Sequence, residues 1–485
     1  MRRSDLICVR AARAPGRHGV PMTSLAAFAP PAPVKPSADQ LIARYDGRAP
    51  RYTSYPTAVQ FTPEVDAASY RTWLAALDVA DPVSLYLHIP FCARLCWYCG
   101  CNTRAVNGRK PIGDYVELLL AELGLLEAAL PGRLDASAVH LGGGTPNMLN
   151  ADELAAIFQG LRRVFRLQPD AEIAAELDPA VLTRDWVRAA ARHGLNRASL
   201  GVQNLDRRVQ QAVNRHDTFE QIAAGVGWLR EAGVRSINLD LMYGLPHQTV
   251  DNTVSTLEAI LSLRPERIAL FGYAHVPWMK IHQKLIPQAA LPGAGERLDQ
   301  GETAAERLER EGYVRIGLDH FAAPHDSLAV AARERALHRN FQGYTTDAAG
   351  TLLGGGAAAR GARAPGPGPH HPDEVAWRAA VSAGDLPVAR GVAVTADDLF
   401  RREIIERLMC DLEVDLAAVC ARHGRDLSAL GPELARLEDF RRDGLVRREG
   451  ASLQVTQAGR VLVRSVCAVF DAYLPQVAHR HATAL

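Results

Sequence analysis

The 485-residue chain contains no run of 18 or more consecutive apolar residues, so nothing in it reads as a membrane-spanning helix. It has no excess charge of one sign: 55 Lys and Arg face 54 Asp and Glu. That balance excludes the basic surface that neutralises a nucleic-acid backbone or an anionic membrane, and nucleic acid is not an expected partner. The apolar stretch near the N-terminus is too short for a secretory signal. Residues 1–40, first Arg-rich and then Pro/Ala-rich, read as a disordered tail or the product of an upstream start, with Met22 as a second start. Lysine is scarce, limited to Lys35, Lys110, Lys280 and Lys284, so arginine carries the positive charge. No feature suggests an obligate interface, and the expectation is a cytoplasmic monomer of about three domains at roughly 150 residues each.

A disulfide framework is also missing. Cys92, Cys96, Cys99 and Cys101 crowd into ten residues, while Cys8, Cys410, Cys420 and Cys467 stand alone. In a chain without a secretory signal, such crowding points to metal binding or catalysis.

What is present is alternation. Short β-branched or apolar runs at 83–89, 138–143, 172–178, 197–203, 236–244 and 267–276 are separated by segments such as YVELLLAELGLLEAAL and TFEQIAAGVGWLREAG, whose apolar residues recur at three and four. Six βα units in series require parallel strands joined by right-handed crossovers. The class is α/β, a doubly wound sheet or a full or partial barrel, and both place ligands at the C-terminal strand ends. Polar and glycine residues collect at those ends: His88 and the cysteines, Gly142-Gly143-Gly144-Thr145, Glu176 and Asp178, Gln203, Asp240, and Tyr273 with His275. Beyond residue 346 the pattern changes. Residues 354–372, GGGAAARGARAPGPGPHHP, read as a linker or insertion without regular structure, and 394–475 as amphipathic helices around a short hairpin.

Cys92-x3-Cys96-x2-Cys99 follows the first run directly, placing three thiolates in one loop. Sulfur donors suit zinc or an iron–sulfur cluster. Structural zinc favours four ligands in two separated pairs, which the spacing of Cys101 from Cys99 supplies poorly. Three thiolates on a four-iron cubane leave one iron without a protein ligand. Zinc and simple redox thiols remain the lesser alternatives.

This loop at the end of the first strand resembles that of the radical S-adenosylmethionine (SAM) enzymes. The segments PRYTSYPTA, LYLHIPFCARLCWYCGCN, HLGGGTPNML, SLGVQ, VNRHD, NLDLMYGLPHQT, FGYAHVPWMK, GLDHFA and HRNFQGYTT resemble in particular the oxygen-independent coproporphyrinogen III oxidase family. The resemblance covers about 41–350 and resumes over 394–475. It implies a radical SAM partial (β/α)6-type barrel with an N-terminal extension and a small, mainly helical C-terminal domain. The implied organisation is a tail over 1–40, a substrate-covering segment over 41–80, the radical SAM domain over 81–350, a divergent segment and linker over 351–393, and a winged-helix-like domain over 394–485. It further implies one [4Fe–4S] cluster on Cys92, Cys96 and Cys99, and two molecules of SAM. Tyr86, Gly143 and Glu176 match positions holding the SAM on the cluster. Tyr98, Gly144, Thr145, Gln203, Arg215, Asp240 and Ala274 match those of a second SAM. Cys101 lies outside the cluster and, with Gln342, is expected at the reacting centre. The expected substrate is coproporphyrinogen III, with Arg51, Tyr52 and Arg339 as candidates to meet its propionates. A flavodoxin- or ferredoxin-type donor and an unidentified electron acceptor complete the partners.

The glycines of GGGTP are expected to let backbone approach the ligand amino group where a Cβ would block it. One departure stands out: Arg360 occupies a position where the family has an isoleucine touching SAM, and the aromatic and Gln-Asn that follow in the family have no counterpart. A paralogue acting on another tetrapyrrole, or a haem-binding or haem-delivery protein on the same scaffold, are the alternative readings. Cys101 and PRYTSYPTA argue against the latter.

Overall fold

Apolar runs joined by helices return to the same end of a sheet each time, so they pair in parallel. In the computed structural model, which describes residues 38–45, 47–359, 361 and 370–474, strands β1 (Val83–Ile89), β2 (Leu134–Gly143), β3 (Phe165–Leu177), β4 (Arg197–Gln203), β5 (Ser236–Tyr243) and β6 (Arg267–Gly272) lie side by side in chain order, all parallel. Between them run α1 (Lys110–Ala129), α2 (Ala151–Val164), α3 (Arg184–Arg192), α4 (Phe219–Glu231) and α5 (Val250–Leu261). Reciprocal capping by Asn150 with Glu153, Thr218 with Gln221 and Thr249 with Asn252 starts α2, α4 and α5, satisfying amide groups that the first helical turn leaves open. On α1, Ile112, Tyr115, Val116, Leu119, Leu123 and Leu126 recur every three or four residues and are buried, the stripe that packs a helix onto a sheet.

After β6 the chain forms α6 (Ala294–Arg310), then β7 (Val314–Ile316) and β8 (His320–Ala322), with β8 antiparallel to both β6 and β7. The ninth strand, β9 (Thr351–Gly355), pairs in parallel with the free side of β1, setting Tyr86 opposite Gly354 and Leu87 opposite Gly355. The sheet order is β9-β1-β2-β3-β4-β5-β6-β8-β7, an open sheet with β9 and β7 at its edges, as expected for a partial barrel.

β9 corrects the reading of residues 354–372 as lacking regular structure. Gly354 and Gly355 complete a strand because a side chain there has no room. A Cβ on Gly355 would stand 2.8 Å from the Leu87 side chain, and one on Gly356, at φ +97°, would lie 2.3 Å from the Tyr115 hydroxyl. Arg360 itself, residues 1–37 and most of the Gly/Pro tract lie outside the described residues.

Helix α7 (Glu374–Ser382) packs on α1 through Trp377, whose ring stacks on Tyr115 at 4.6 Å. A second core is built from α8 (Ala396–Asp411), α9 (Gly431–Arg442) and a small sheet in which β10 (Glu413–Asp415) and β11 (Val446–Glu449) flank β12 (Ser452–Val455). Tyr45, Tyr52 and Tyr55 from the N-terminal segment belong to that core. Tyr52, expected at the substrate, instead donates to Asp471 at 3.1 Å and is buried. Its ring supplies apolar area that the small C-terminal unit needs. Among the described residues no helix is long and apolar enough to cross a membrane.

Candidate functional site

The cysteine loop leaves β1 at the C-terminal mouth of the barrel, and its backbone is held from three sides. Trp97 N donates to Val213 O at 2.9 Å and Asn214 Nδ2 to Leu95 O at 2.9 Å. Gln283 Nε2 donates to Tyr98 O at 3.1 Å, His282 Nε2 to Cys99 O at 2.7 Å and Lys280 Nζ to Cys101 O at 2.9 Å. His88 Nε2 donates to Asn102 O at 2.8 Å. Irregular backbone without a ladder of its own needs such partners. Here they come from the VNRHD segment, the 280–283 segment and β1.

Each of the three spaced thiols faces a hydrogen-bonding group. Cys92 Sγ lies 3.0 Å from Thr103 Oγ1 and accepts from Thr145 Oγ1 at 3.3 Å; Cys96 Sγ accepts from Arg215 Nη1 at 3.7 Å; Cys99 Sγ accepts from Cys101 N at 3.4 Å. Burial pushes the Cys92 and Cys96 thiols up, whereas the Cys101 thiol's hydrogen bond brings Cys99 down to about 7. Cys101 is exposed. Donors aimed at sulfur stabilise the thiolate form that ligates metal.

Tyr86, Gly143 and Glu176 are brought together through two histidines. Tyr86 donates to His88 Nδ1 at 2.9 Å, a pairing that leaves Nε2 to carry the ring proton toward Asn102. Tyr86 also stacks on His140 at 5.9 Å, and His140 Nε2 contacts Glu176 Oε1 at 3.2 Å. The second Glu176 oxygen accepts from Gly143 N at 3.0 Å. Burial raises the Glu176 carboxyl, but His140 and the Gly143 amide outweigh it and hold it below its ordinary range. The glycines have a nearer reason than a ligand. A Cβ on Gly142 would lie 2.9 Å from the Tyr86 ring, on Gly143, at φ +108°, 2.5 Å from the His88 ring, and on Gly144 2.7 Å from Phe91 O. The turn is glycine because strand and cysteine loop pack against it.

Tyr98, Arg215 and the end of β4 form another group. Arg215 donates to the Tyr98 hydroxyl at 3.1 Å and to Gly201 O at 2.5 Å, and its Nε sits 2.5 Å from Asp217. Asp217 also pairs with Arg94 at 2.5 Å. The Arg215 charge is thus balanced by a carboxylate that the sequence did not single out. Gln203 takes a left-handed φ of +65° at the end of β4, with its Nε2 over Gly201. Ala274 enters through its carbonyl, which accepts from Gln283 at 3.3 Å. Gln342 sits in the turn of the hairpin His338–Asn340 and Gly343–Thr345. Its neighbour Phe341 stacks edge-on against Tyr86 at 4.6 Å, and its buried Nε2 has no hydrogen-bond partner.

Asp240 accepts from Ser199 Oγ and Asn238 Nδ2, both at 2.7 Å, yet burial pushes its carboxyl up to about 6 from 3.8. The folded chain therefore holds that proton more tightly than the unfolded chain, and the stability Asp240 contributes falls as pH rises from about 4 to about 6. Asp240→Asn is expected to flatten stability against pH over that interval without added SAM, read from urea midpoints. An unchanged slope contradicts the assignment.

Sequence reasoning missed His140, Thr103, Asp217, His282 and Gln283. His140 had a detectable signal, two residues before Gly142 at a strand end. The others act through contacts between distant segments.

Two family models match the chain: the Radical SAM superfamily over residues 86–260 and the HemN C-terminal domain over 394–462. An oxygen-independent coproporphyrinogen III oxidase from Bradyrhizobium diazoefficiens is 46% identical over 448 residues, 92% of this chain and 100% of the relative. The chain belongs to the oxygen-independent coproporphyrinogen III oxidase family. A second member of that family, "Coproporphyrinogen III oxidase, anaerobic 1" of Cereibacter sphaeroides, is 42% identical over 90% of this chain and 96% of its own length. The solved structure of the Escherichia coli coproporphyrinogen III oxidase, described as a radical SAM enzyme, superposes with a TM-score of 0.84 at 37% identity, covering 87% of this chain and 98% of that one. Membership implies a [4Fe–4S] cluster and SAM as cofactors of this oxidase family. The donor set fits: three thiols on one loop, each facing a hydrogen-bonding group, with carboxylates and a glycine turn at the adjoining strand ends.

Proposed function

We propose that this chain carries out the oxygen-independent oxidative decarboxylation of two propionates of coproporphyrinogen III, giving protoporphyrinogen IX for haem biosynthesis. The observation that carries the reading is the cysteine loop at the mouth of the barrel, together with a cavity of about 690 Å³ at the ends of β5 and β6 that is walled by arginines and apolar side chains. A tetrapyrrole with four propionates calls for that combination. Cys92, Cys96 and Cys99 would hold the cluster. Tyr86, Gly143 and Glu176 would hold the SAM bound to it, and Tyr98, Gly144, Thr145, Gln203, Arg215, Asp240 and Ala274 a second SAM. When bound there, cluster and SAM would supply, with one electron from a donor, the radical chemistry that removes a hydrogen atom from a propionate β-carbon; loss of carbon dioxide and of one electron to an acceptor would complete the vinyl group.

The chain's own part is positioning and exclusion. The Glu176–His140–Tyr86–His88 series fixes a polar rail along the strand ends, and Phe341 closes it from the hairpin side. Gln342, whose buried Nε2 lacks a partner, and Cys101 face the reacting centre in this reading. The described cysteines are free, in keeping with a reducing cytoplasm, where a flavodoxin- or ferredoxin-type protein would supply electrons. Anaerobic incubation of iron-reconstituted protein with reductant, coproporphyrinogen III and a cell extract as electron acceptor tests the reading. Vinyl product is expected only when SAM is added, and none in either case overturns it.

A further inference from the structure

The cavity lies where α6, the ends of β5 and β6, and residues 48–51 and 461–464 converge, with Trp278 and Met279 on its rim, 64% and 65% exposed. Six arginines line it, at positions 48, 51, 297, 315, 339 and 464, against one glutamate and one aspartate. Most have evident work in the fold. Arg315 forms a two-pronged contact with Glu302 at 2.8 and 3.2 Å, Arg297 donates to Tyr273 O at 2.8 Å, and Arg464 donates to the carbonyls of Pro50 and Ala49. Arg51 is exposed and reaches Gly272 O at 3.3 Å.

Arg339 differs. Its side chain is 4% exposed and lies over the Tyr344 ring at 4.3 Å. Its buried Nε and Nη1 donate to nothing. The nearest carboxylate oxygen, Asp319 Oδ1, is 3.9 Å away and already 2.7 Å from His320 Nδ1. A guanidinium stays protonated, and burying one with its donors unmet is costly. The Tyr344 ring and the distant Asp319 oxygen offset only part of that cost, and a methionine of similar length would fill the same space without it. An arginine kept there against that cost indicates a ligand that meets it, and a planar fork is suited to a carboxylate.

We propose that Arg339 anchors a carboxylate of a polycarboxylated macrocycle bound in this cavity, with Arg51 at the rim as a second contact. This deepens the reading of the chain as a coproporphyrinogen III oxidase and rests on it for the identity of the macrocycle. Trp278 and Met279 offer the ring an apolar edge, while the arginines select its acidic arms.

The test is equilibrium binding of coproporphyrin III and of its tetramethyl ester, followed by porphyrin fluorescence, to wild type, Arg339→Met and Arg339→Lys. The tetra-acid is expected to bind Arg339→Met at least about tenfold more weakly, with partial recovery in Arg339→Lys. Ester binding and the thermal midpoint should stay at wild-type values in all three. Tetra-acid binding within about twofold of wild type, an equal loss for acid and ester, or a lowered thermal midpoint in both variants would place Arg339 in the packing and overturn the inference. Turnover separates this from the reaction. A wild type that discriminates acid from ester through Arg339 but yields no vinyl product keeps the site and removes the reaction, whereas vinyl product with an unchanged KM in Arg339→Met does the reverse.

Discussion

Replacing Cys96 by serine is expected to remove both the iron and the cleavage of SAM. Serine keeps the volume of the thiol but offers a hard, weakly acidic oxygen in place of the soft sulfur that iron–sulfur clusters require. The Arg215 contact at 3.7 Å then points at a hydroxyl, and Arg215 itself stays anchored by Asp217 and Gly201, so the loop keeps its shape while losing a ligand. Cys101→Ser is the contrast. Its main-chain N–H donates to Cys99 Sγ and its carbonyl accepts from Lys280, neither of which uses the thiol, and a serine hydroxyl can take over the thiol's own hydrogen bond to Cys99. Iron content and cluster absorbance after anaerobic reconstitution decide the matter: both are expected to be lost in Cys96→Ser and retained in Cys101→Ser. Loss of iron from the second variant would show that the ligands are assigned wrongly.

The largest expected effect on stability is at Glu122, far from the thiols. Its side chain is fully buried on α1, and one oxygen accepts from Gly356 N at 2.7 Å and from Trp377 Nε1 at 3.0 Å, while the other lies 2.8 Å from His370 Nδ1. That single carboxylate ties the end of β9, helix α7 and the His370 segment to the first crossover helix. Glu122→Ala leaves the Gly356 amide and the Trp377 indole N–H without their acceptor, removes the carboxylate oxygen beside His370, whose Nδ1 keeps Gly356 O at 3.1 Å, and opens a cavity, a combination that costs about 3–5 kcal/mol. Chemical denaturation should show the loss as a lower midpoint, and Glu122→Gln, which keeps one carbonyl acceptor, should fall between. Since β9 sets Gly354 opposite Tyr86, the weakened variant is also expected to bind SAM less well. A midpoint within the error of wild type would mean the buried cluster holds nothing together.

These two positions mark what the sequence reveals and what it hides. The cysteine loop is legible because crowding and spacing of thiols is a local pattern with few physical explanations. The six parallel strands are legible for a similar reason, each being an apolar run followed by a helix of period 3.6. Strand β9 is not. Its Gly354 and Gly355 carry the composition of a linker, and only contact with Leu87 and Tyr115, more than 200 residues earlier, makes glycine a requirement of packing. Glu122 is equally silent, one acidic residue on a helix rich in them until the fold surrounds it.

The strand-end positions could be picked out because parallel α/β sheets gather ligands there. Their partners could not. Arg94 pairing with Asp217 and His140 bridging Tyr86 to Glu176 are relations between segments tens of residues apart. Tyr52 shows the opposite case, a residue in a distinctive motif that serves the second core through Asp471. Arg339 stands out within HRNFQGYTT, but its unmet donors appear only when the cavity is assembled.

The most direct test of the account is the ratio of 5′-deoxyadenosine to protoporphyrin during anaerobic turnover of coproporphyrinogen III, with a cell extract supplying the electron acceptor. Two decarboxylations call for two hydrogen-atom abstractions, so the account predicts about two deoxyadenosines for each protoporphyrin formed. Deoxyadenosine released without any vinyl porphyrin, at a rate indifferent to the substrate, would contradict it.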